Sequence, residues 1–299
     1  MLLVLRLVLA FAIGLQVAAD VQPVFKSRVD LVRLATVVRD QKGRFVHDLR
    51  ASEFEVFDSG RMRAIRDFRQ DVAGLSIALL FDVSGSMEGQ LAHARDAATT
   101  LLGMLDAARD EAAVYQFDTK LEETVPFTSG LRRLPASMST VVPFGATSLF
   151  DAVAKTAQRI TLHEGRRHAV IVFTDGLDNA SRLTASQVSG IASSIDVPVY
   201  VIGIVSGLED PASDTATPRA LHSPLVGELA NLASWTGGAA WVASAAPQRS
   251  YVVQQIVDEL RHQYLIAIES DAEPGWHPLT VRMKHRDLSA HARSGYINN

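Results

Sequence analysis

The sequence predicts an α/β fold, in which a doubly wound, mostly parallel six-strand sheet flanked by helices is joined to a small β-rich, sandwich-like domain. Two continuously apolar runs, 75–81 and 169–174, are typical of parallel strands that are buried on both faces. Strand-like and helix-like segments alternate between residues 73 and 262, as a doubly wound sheet requires. The flanking regions instead contain short alternating segments separated by turn residues, which indicates β structure.

The central elements follow one another in a regular order. The predicted order is strand 75–81, helix 90–107, strand 111–117, hairpin strand 121–127, a helix from the Thr147 loop to about Thr161, strand 169–174, helix 184–194, strand 197–203, helix 225–234, a last strand containing Trp241 and Val242, and helix 247–261. Apolar residues recur at helical spacing along 90–107, so this helix has one face for the sheet. Pro126 places segment 121–127 at an edge, because proline cannot donate a ladder hydrogen bond.

The two ends of the chain are predicted to form one domain together. Residues 21–72 contain short strand-like segments at 29–39, 45–46, 54–57 and 64–68, with a turn at 40–43. These are too few to close a seven-strand sandwich. Alternating segments at 263–269, 279–284 and 290–296 supply the missing strands. We therefore expect 21–72 and 263–299 to pack together, with residues 73–262 inserted between them. Two separate β appendages are the alternative.

The first 19 residues have the pattern of a secretory signal peptide. They are almost wholly apolar, carry one cation at Arg6, and end in Val17-Ala18-Ala19 before Asp20. The apolar core is short for a spanning helix, and the small residues suit cleavage after Ala19. The pattern predicts an exported protein, periplasmic or extracellular, with no membrane span in the mature chain. An uncleaved membrane anchor is the alternative.

Composition excludes several classes of function. The formal net charge is −4 and the pI is near 6.1, so the chain is not typical of a nucleic-acid binder. The longest basic run is Arg166-Arg167-His168. The chain has no cysteine, which excludes disulfides, thiolate metal sites, lipobox lipidation and cysteine catalysis.

Oxygen-bearing side chains follow the ends of two predicted strands. Asp82, Ser84 and Ser86 form D-x-S-x-S after the first strand, and Asp175 followed by a glycine ends the strand at 169–174. Thr147 lies in a glycine-led loop just ahead of a helix. In an open α/β sheet the binding crevice forms at the carboxyl ends of the strands. Oxygen-only ligation suits Mg²⁺, Mn²⁺ or Ca²⁺. Taken alone, D-x-S-x-S is also compatible with a simple helix cap.

These three segments together resemble a von Willebrand factor type A domain, whose metal-ion-dependent adhesion site combines D-x-S-x-S, a loop threonine and T-D-G. All five positions match: Asp82, Ser84, Ser86, Thr147 and Asp175. The resemblance implies that the three hydroxyls ligate a divalent cation, with Mg²⁺ expected and Mn²⁺ or Ca²⁺ as alternatives, while the two aspartates act partly through bound waters. It also implies that a protein partner adds an Asp or Glu carboxylate to the ion. A domain that kept the fold and lost the metal is the alternative.

The flanks are similar to a bacterial exported family, the VWFA-related domain described from Acidobacteria. The matching segments are 40–46, 53–56 and 292–296. In von Willebrand factor type A domains the last helix can also move between two states, and here that helix would be 247–261. The resemblance covers most of the chain outside residues 1–19, with the metal motif the most specific part.

The resulting hypothesis is metal-dependent protein binding without catalysis. A metal-assisted hydrolase is one alternative, although no general base and no G-x-S-x-G elbow are visible around Ser84 and Ser86. A structural module whose ion only stiffens the loops is another. Asp178 and Asn179 follow the third segment and are expected to satisfy local backbone groups. His93 is expected to have a surface or capping role.

Overall fold

The computed structural model describes residues 31–70, 73–163, 166–194, 196–205, 219–220, 224–271 and 273–298. The predicted signal peptide, residues 1–19, lies outside these ranges. In the described part of the chain, no helix combines the length and the apolarity that a membrane span requires.

The described chain contains fifteen strands and five α-helices. The strands are β1 (Leu31–Asp40), β2 (Phe54–Asp58), β3 (Arg61–Arg63), β4 (Ile65–Gln70), β5 (Leu75–Asp82), β6 (Glu111–Phe117), β7 (Leu121–Ser129), β8 (Arg167–Thr174), β9 (Val199–Ile204), β10 (Arg219–Ala220), β11 (Ala240–Ala243), β12 (Gln263–Glu269), β13 (Gly275–Met283), β14 (Leu288–His291) and β15 (Gly295–Asn298). The helices are α1 (Leu91–Met104), α2 (Leu149–Ile160), α3 (Ala185–Ser194), α4 (Pro224–Thr236) and α5 (Ala246–Arg261).

The central sheet confirms the predicted α/β architecture. Its strand order is β10-β11-β9-β8-β5-β6-β7, with β11, β9, β8, β5 and β6 parallel and β7 antiparallel at one edge. All six predicted strands are present. The additional strand β10 is only two residues long, too short to carry a hydrophobic pattern. All residues of β5 and β9 are buried, and so are the last six residues of β8. This burial explains their continuous apolar sequences.

Helices cover both faces of this sheet. Alternate residues of β5, such as Ile77 and Leu79, pack with α1 and α5, while Ala78 and Leu80 pack with α2, α3 and α4. The period-2 alternation of side chains across a strand therefore divides one apolar run between two cores. Strand β5 lies in the interior of this sheet, between β8 and β6, and its carboxyl end carries Asp82.

The two chain ends form a sandwich of two four-stranded antiparallel sheets, which confirms the predicted β-rich part. The sheet orders are β14-β1-β12-β4 and β15-β13-β2-β3. In the first sheet β1 pairs with β12 from Leu31↔Glu269 to Val37↔Gln263. The second sheet joins β2 to β13. The sheets enclose a core that includes Leu34, Val56 and Tyr264. The domain boundaries at 73 and 262 remain a proposal.

Two of the terminal segments differ from prediction. Segment 290–296 is not one strand but parts of β14 and β15, which lie in different sheets. The chain leaves its first sheet because Ser294 donates its amide to the Trp235 carbonyl and Arg293 donates to the Arg33 carbonyl. Segment 45–46 is not a strand either, since Phe45 forms only an isolated bridge to Arg39. In both cases long-range contacts overrode local alternation.

We expect a disulfide to form between Leu31→Cys and Glu269→Cys, because directly opposed antiparallel residues have Cα atoms about 4.5–5.5 Å apart. The chain has no other cysteine to compete. Non-reducing electrophoresis after proteolysis within residues 73–262 should then recover the two ends as one cross-linked species. The pair Leu31→Cys and Arg282→Cys, which joins strands of different sheets, is the control and should remain reduced. Equal cross-linking of both pairs would contradict the described register.

Candidate functional site

Asp82 ends the central strand β5, and its side chain is fully buried. One carboxylate oxygen accepts the Ser84 amide at 3.0 Å, and the other accepts the Thr174 hydroxyl at 2.7 Å. Thr174 is the last residue of β8, the neighbouring parallel strand. The carboxylate therefore joins two strand ends, as expected where adjacent parallel strands terminate together.

Burial, with a smaller contribution from the nearby charge of Asp175, raises the pKa of Asp82 to about 6, although hydrogen bonds from Ser84 and Thr174 lower it. The hydrogen-bond partners of Asp82 are an amide and a hydroxyl, and that of Asp175 is the Leu177 amide at 3.2 Å. None of these groups carries a positive charge. The site therefore places the negative charges of Asp82 and Asp175 beside hydroxyl groups. A bound cation would neutralise part of that charge.

Ser84 directly precedes a short 3₁₀ turn, Gly85–Met87, and Ser86 is the second residue of that turn. Their hydroxyl oxygens are 3.1 Å apart. Ser84 is buried and Ser86 is exposed, so the pair leads from the end of β5 to the surface. Neighbouring ligands of an octahedral Mg²⁺ ion with bonds of 2.0–2.1 Å lie about 3 Å apart. The observed spacing of the two hydroxyls fits that geometry.

The loop of Thr147 is hydrogen-bonded directly to the loop of Asp82. The Phe144 amide donates to the Val83 carbonyl at 2.9 Å, and the Gly85 amide donates to the Gly145 carbonyl at 3.0 Å. Gly145 has φ +87°, a left-handed conformation that glycine adopts readily. Thr147 is 1% exposed and precedes α2. The backbone contacts thus bring the threonine segment beside the serine turn.

The third loop follows β8 and is hydrogen-bonded to the other two. Gly176, with φ +94°, donates its amide to the Thr174 hydroxyl at 3.0 Å, and that hydroxyl bonds to Asp82. The Asn179 side-chain oxygen accepts the Thr147 amide at 2.9 Å, and the Thr147 carbonyl accepts the amides of Asn179 and Ala180. The three loops therefore form a closed ring of mutual hydrogen bonds.

Asn179 and Asp178 position the site, and their cross-loop partners were not visible from sequence. The Asp178 carboxylate accepts local bonds from Ser181 and also the amide of Phe150, in the first turn of α2. A carboxylate at a helix N-terminus satisfies a free amide and favours the helix dipole. His93 lies on α1, half buried, with Nδ1 3.4 Å from Arg249 of α5.

A second group of possible metal ligands lies in the sandwich, where sequence reasoning did not identify it. Ligand atoms of Asp58, Asp271 and His277 all lie within 4.8 Å of one another. However, Arg63 forms ion pairs with both aspartates, at 3.4 Å for Asp58 and closer for Asp271. The Tyr296 hydroxyl donates to Asp58 at 3.0 Å. A guanidinium already supplies the positive charge in this cluster, so we assign it a structural role.

The described geometry defines the class of protein: an open-sheet α/β domain with a polar binding site at the carboxyl edge of its strands. Residues 77–177 match the model of the von Willebrand factor type A domain family. The match contains the first two loops of the ring and the start of the third, up to Leu177. Residues 77–177 are therefore similar to a von Willebrand factor type A domain. A comparison with curated proteins gave no match.

Several solved structures have a similar fold. BatB from Bacteroides thetaiotaomicron is 20% identical, with a TM-score of 0.48, over 62% of this chain and 98% of that chain. A von Willebrand factor type A protein from Catenulispora acidiphila is 13% identical, with a TM-score of 0.48, over 91% of this chain and 75% of that chain. Proximal thread matrix protein 1 from the mussel byssus, in a form with a zinc-occupied MIDAS motif, is 19% identical, with a TM-score of 0.48, over 68% of this chain and 49% of that chain.

We expect Asp82→Asn to stabilise the metal-free protein at pH 7 by up to about 3 kcal/mol, because the folded-state pKa of about 6 lies above the ordinary 3.8. The folded state binds the proton more tightly than the unfolded chain. Stability is therefore lost as pH rises from about 4 to 6 and stays lower above pH 6. The difference between variant and wild type should grow over that window.

Urea unfolding of chelator-treated protein across that pH range tests this expectation. Asp287→Asn, at an exposed acid, is the control and should give a small difference with no such trend. If Asp82→Asn is less stable than wild type at pH 7, the expectation is wrong, because the ionised Asp82 carboxylate then stabilises the folded state.

Proposed function

We propose that this protein is an exported, non-enzymatic interaction module that binds an acidic side chain of a partner protein through a divalent cation. The ion is held at Asp82, Ser84, Ser86, Thr147 and Asp175, with Mg²⁺ as the preferred ion and Mn²⁺ or Ca²⁺ as alternatives. The observation that carries this proposal is the buried Asp82 carboxylate, which has no cationic partner among its described contacts and lies at the meeting point of three loops.

The donor set explains why a partner would complete the site. Neutral hydroxyls from Ser84, Ser86 and Thr147 leave the charge of a dication only partly neutralised, and Asp82 and Asp175 complete the protein's contribution. A hard cation prefers a further anionic oxygen. A carboxylate arriving from solvent at the exposed Ser86 side would supply that oxygen. The ion then acts as a bridge between two proteins.

Apolar side chains beside the three loops support a protein partner. Val142 and Phe144 are each 80% exposed, and Leu177 in the third loop is 38% exposed. The Phe144 backbone is fixed by its bond to Val83, so the ring is exposed on an ordered segment. Aromatic residues beside a polar centre are common energetic anchors of protein interfaces. We propose that Phe144 contacts residues flanking the partner's acid and contributes to specificity.

The signal-peptide pattern of residues 1–19 supports a periplasmic or extracellular location. Outside the cell, divalent cations are available and an adhesion-type interaction with another exported protein is possible.

We expect wild-type protein to bind one Mn²⁺ ion in calorimetry or electron paramagnetic resonance, and Ser84→Ala and Thr147→Ala to weaken binding by about tenfold or more, since each removes one ligand. Circular dichroism should show that both variants remain folded. Ser289→Ala, at an exposed serine in strand β14 of the sandwich, is the control and should bind as wild type does. Unchanged Mn²⁺ affinity in both ligand variants would refute the proposed site.

We further expect Phe144→Ser to reduce capture of a Mg²⁺-dependent partner from envelope and secreted fractions about tenfold, without changing Mn²⁺ affinity. The partner assay compares wild type with Asp82→Ala, each with Mg²⁺ or with EDTA, and capture should require both Asp82 and the ion. Leu162→Ser removes an equally exposed apolar side chain after α2 and should leave capture intact. Capture that is indifferent to metal and to Asp82 would overturn the adhesion function.

A further inference from the structure

A cavity of about 650 Å³ lies between the central sheet and the sandwich. Its walls come from the amino ends of β8 and β9 on one side and from β1, β4 and β12 on the other. Strand β8 has eight residues, so this cavity lies about 25 Å from the Asp82 edge of the sheet. The charged groups and the histidine of its described lining are Arg33, Arg69, Arg166, Arg167, His168 and Asp196.

The sandwich contributes its two arginines through strand alternation. Arg33 lies opposite Ala267, and Arg69 lies opposite Leu265, on either side of β12. Side chains two residues apart share a face, so both arginines project from the face opposite the Leu34 core. The same face carries Ala35 and Leu265, which also line the cavity. Two cations are therefore presented across a small apolar surface.

The base of the central sheet contributes the longest basic run of the sequence. Arg166 forms an ion pair with Glu111 at 2.9 Å, and Arg167 donates to the Leu260 carbonyl. His168 uses Nε2 to contact the His163 carbonyl at 2.6 Å. These bonds hold the run in place at the start of β8.

The balance of charge in the cavity is positive. Neither the Arg33 nor the Arg69 side chain makes a hydrogen bond or an ion pair with any residue in the described ranges. The one acid of the described lining, Asp196, lies 3.9 Å from Arg293, which offsets its charge. Two guanidinium groups thus remain available beside a pair that is already anchored.

We propose that this cavity binds a small, multiply charged anion bearing phosphate or carboxylate groups. Guanidinium groups present forked donors that match both oxyanions, and they are less strongly hydrated than ammonium groups. The volume lies within the range of ordinary small-molecule sites. A bound anion would contact both the sandwich and the central sheet, so it would hold the two units together. This site is independent of the proposed metal function.

The test is isothermal titration of the full chain with sodium tripolyphosphate, and separately with citrate, at low ionic strength. The buffer is freed of metal with a chelating resin, because both probes bind divalent ions. Wild type should bind at least one probe, with affinity falling as salt is added. Arg33→Gln combined with Arg69→Gln should weaken binding about tenfold or more. Binding of tripolyphosphate alone would assign a phosphate ligand, and binding of citrate alone a carboxylate ligand.

Controls separate this site from nonspecific charge effects and from the metal site. Arg133→Gln combined with Arg286→Gln removes two exposed arginines elsewhere, with the same change in net charge, and should bind as wild type does. Asp82→Ala should also bind the probe normally. Leu265→Glu places an acid within the cavity and should abolish binding even if the arginine variant is unstable. Binding of neither probe, or equal binding by wild type and both cavity variants, would overturn the proposal.

Discussion

The buried charge of Asp82 is the constraint on which the rest of the site depends. Strand β5 lies between β6 and β8 and is covered by helices on both faces, so a carboxylate at its end is removed from water. Hydrogen bonds from Ser84 and Thr174 offset only part of this cost, as the raised pKa shows. The fold therefore keeps a buried negative charge at the end of β5 whose desolvation cost is only partly offset. A domain selected for stability alone would place a neutral side chain there.

The ring of hydrogen bonds between the loops orders the site around this buried charge before a cation binds. Main-chain and side-chain bonds through Gly145, Thr147 and Asn179 order all three loops without requiring an ion. An ion or partner that binds here loses less free energy to loop ordering than it would at a flexible surface. The left-handed glycines at 145 and 176 allow the close turns that the ring needs. Preorganisation thus follows from hydrogen bonds between loops that are far apart in the sequence.

The features that sequence predicted best are those that depend on local pattern. The apolar run of β5 and the D-x-S-x-S that follows it identify a buried strand and its polar end directly. The features that sequence missed depend on partners far along the chain: Asn179 bonds across 32 residues to Thr147, and Arg63 pairs with Asp271 across 208. Segment 290–296 alternates like one strand, but its two halves join different sheets. The alternation of apolar and polar residues in a strand shows which face is buried, but it does not show which strands pair with it.

Helix α5 connects the central sheet to the sandwich, and its contacts determine how it can move. Near its start, Arg249 donates to the Ser244 carbonyl at 2.7 Å. Near its end, the buried Glu259 accepts the Tyr200 hydroxyl at 3.0 Å and an Arg39 donor at 3.3 Å. Moving α5 away from Tyr200 and Arg39 would leave the buried Glu259 carboxylate without hydrogen-bond partners, which costs free energy. The helix therefore cannot slide freely past these two residues. Because Arg39 belongs to β1, a shift of the helix that keeps this bond must carry the sandwich with it. Any motion of α5 would therefore change the walls of the cavity lined by Arg33 and Arg69 at the opposite edge of the sheet.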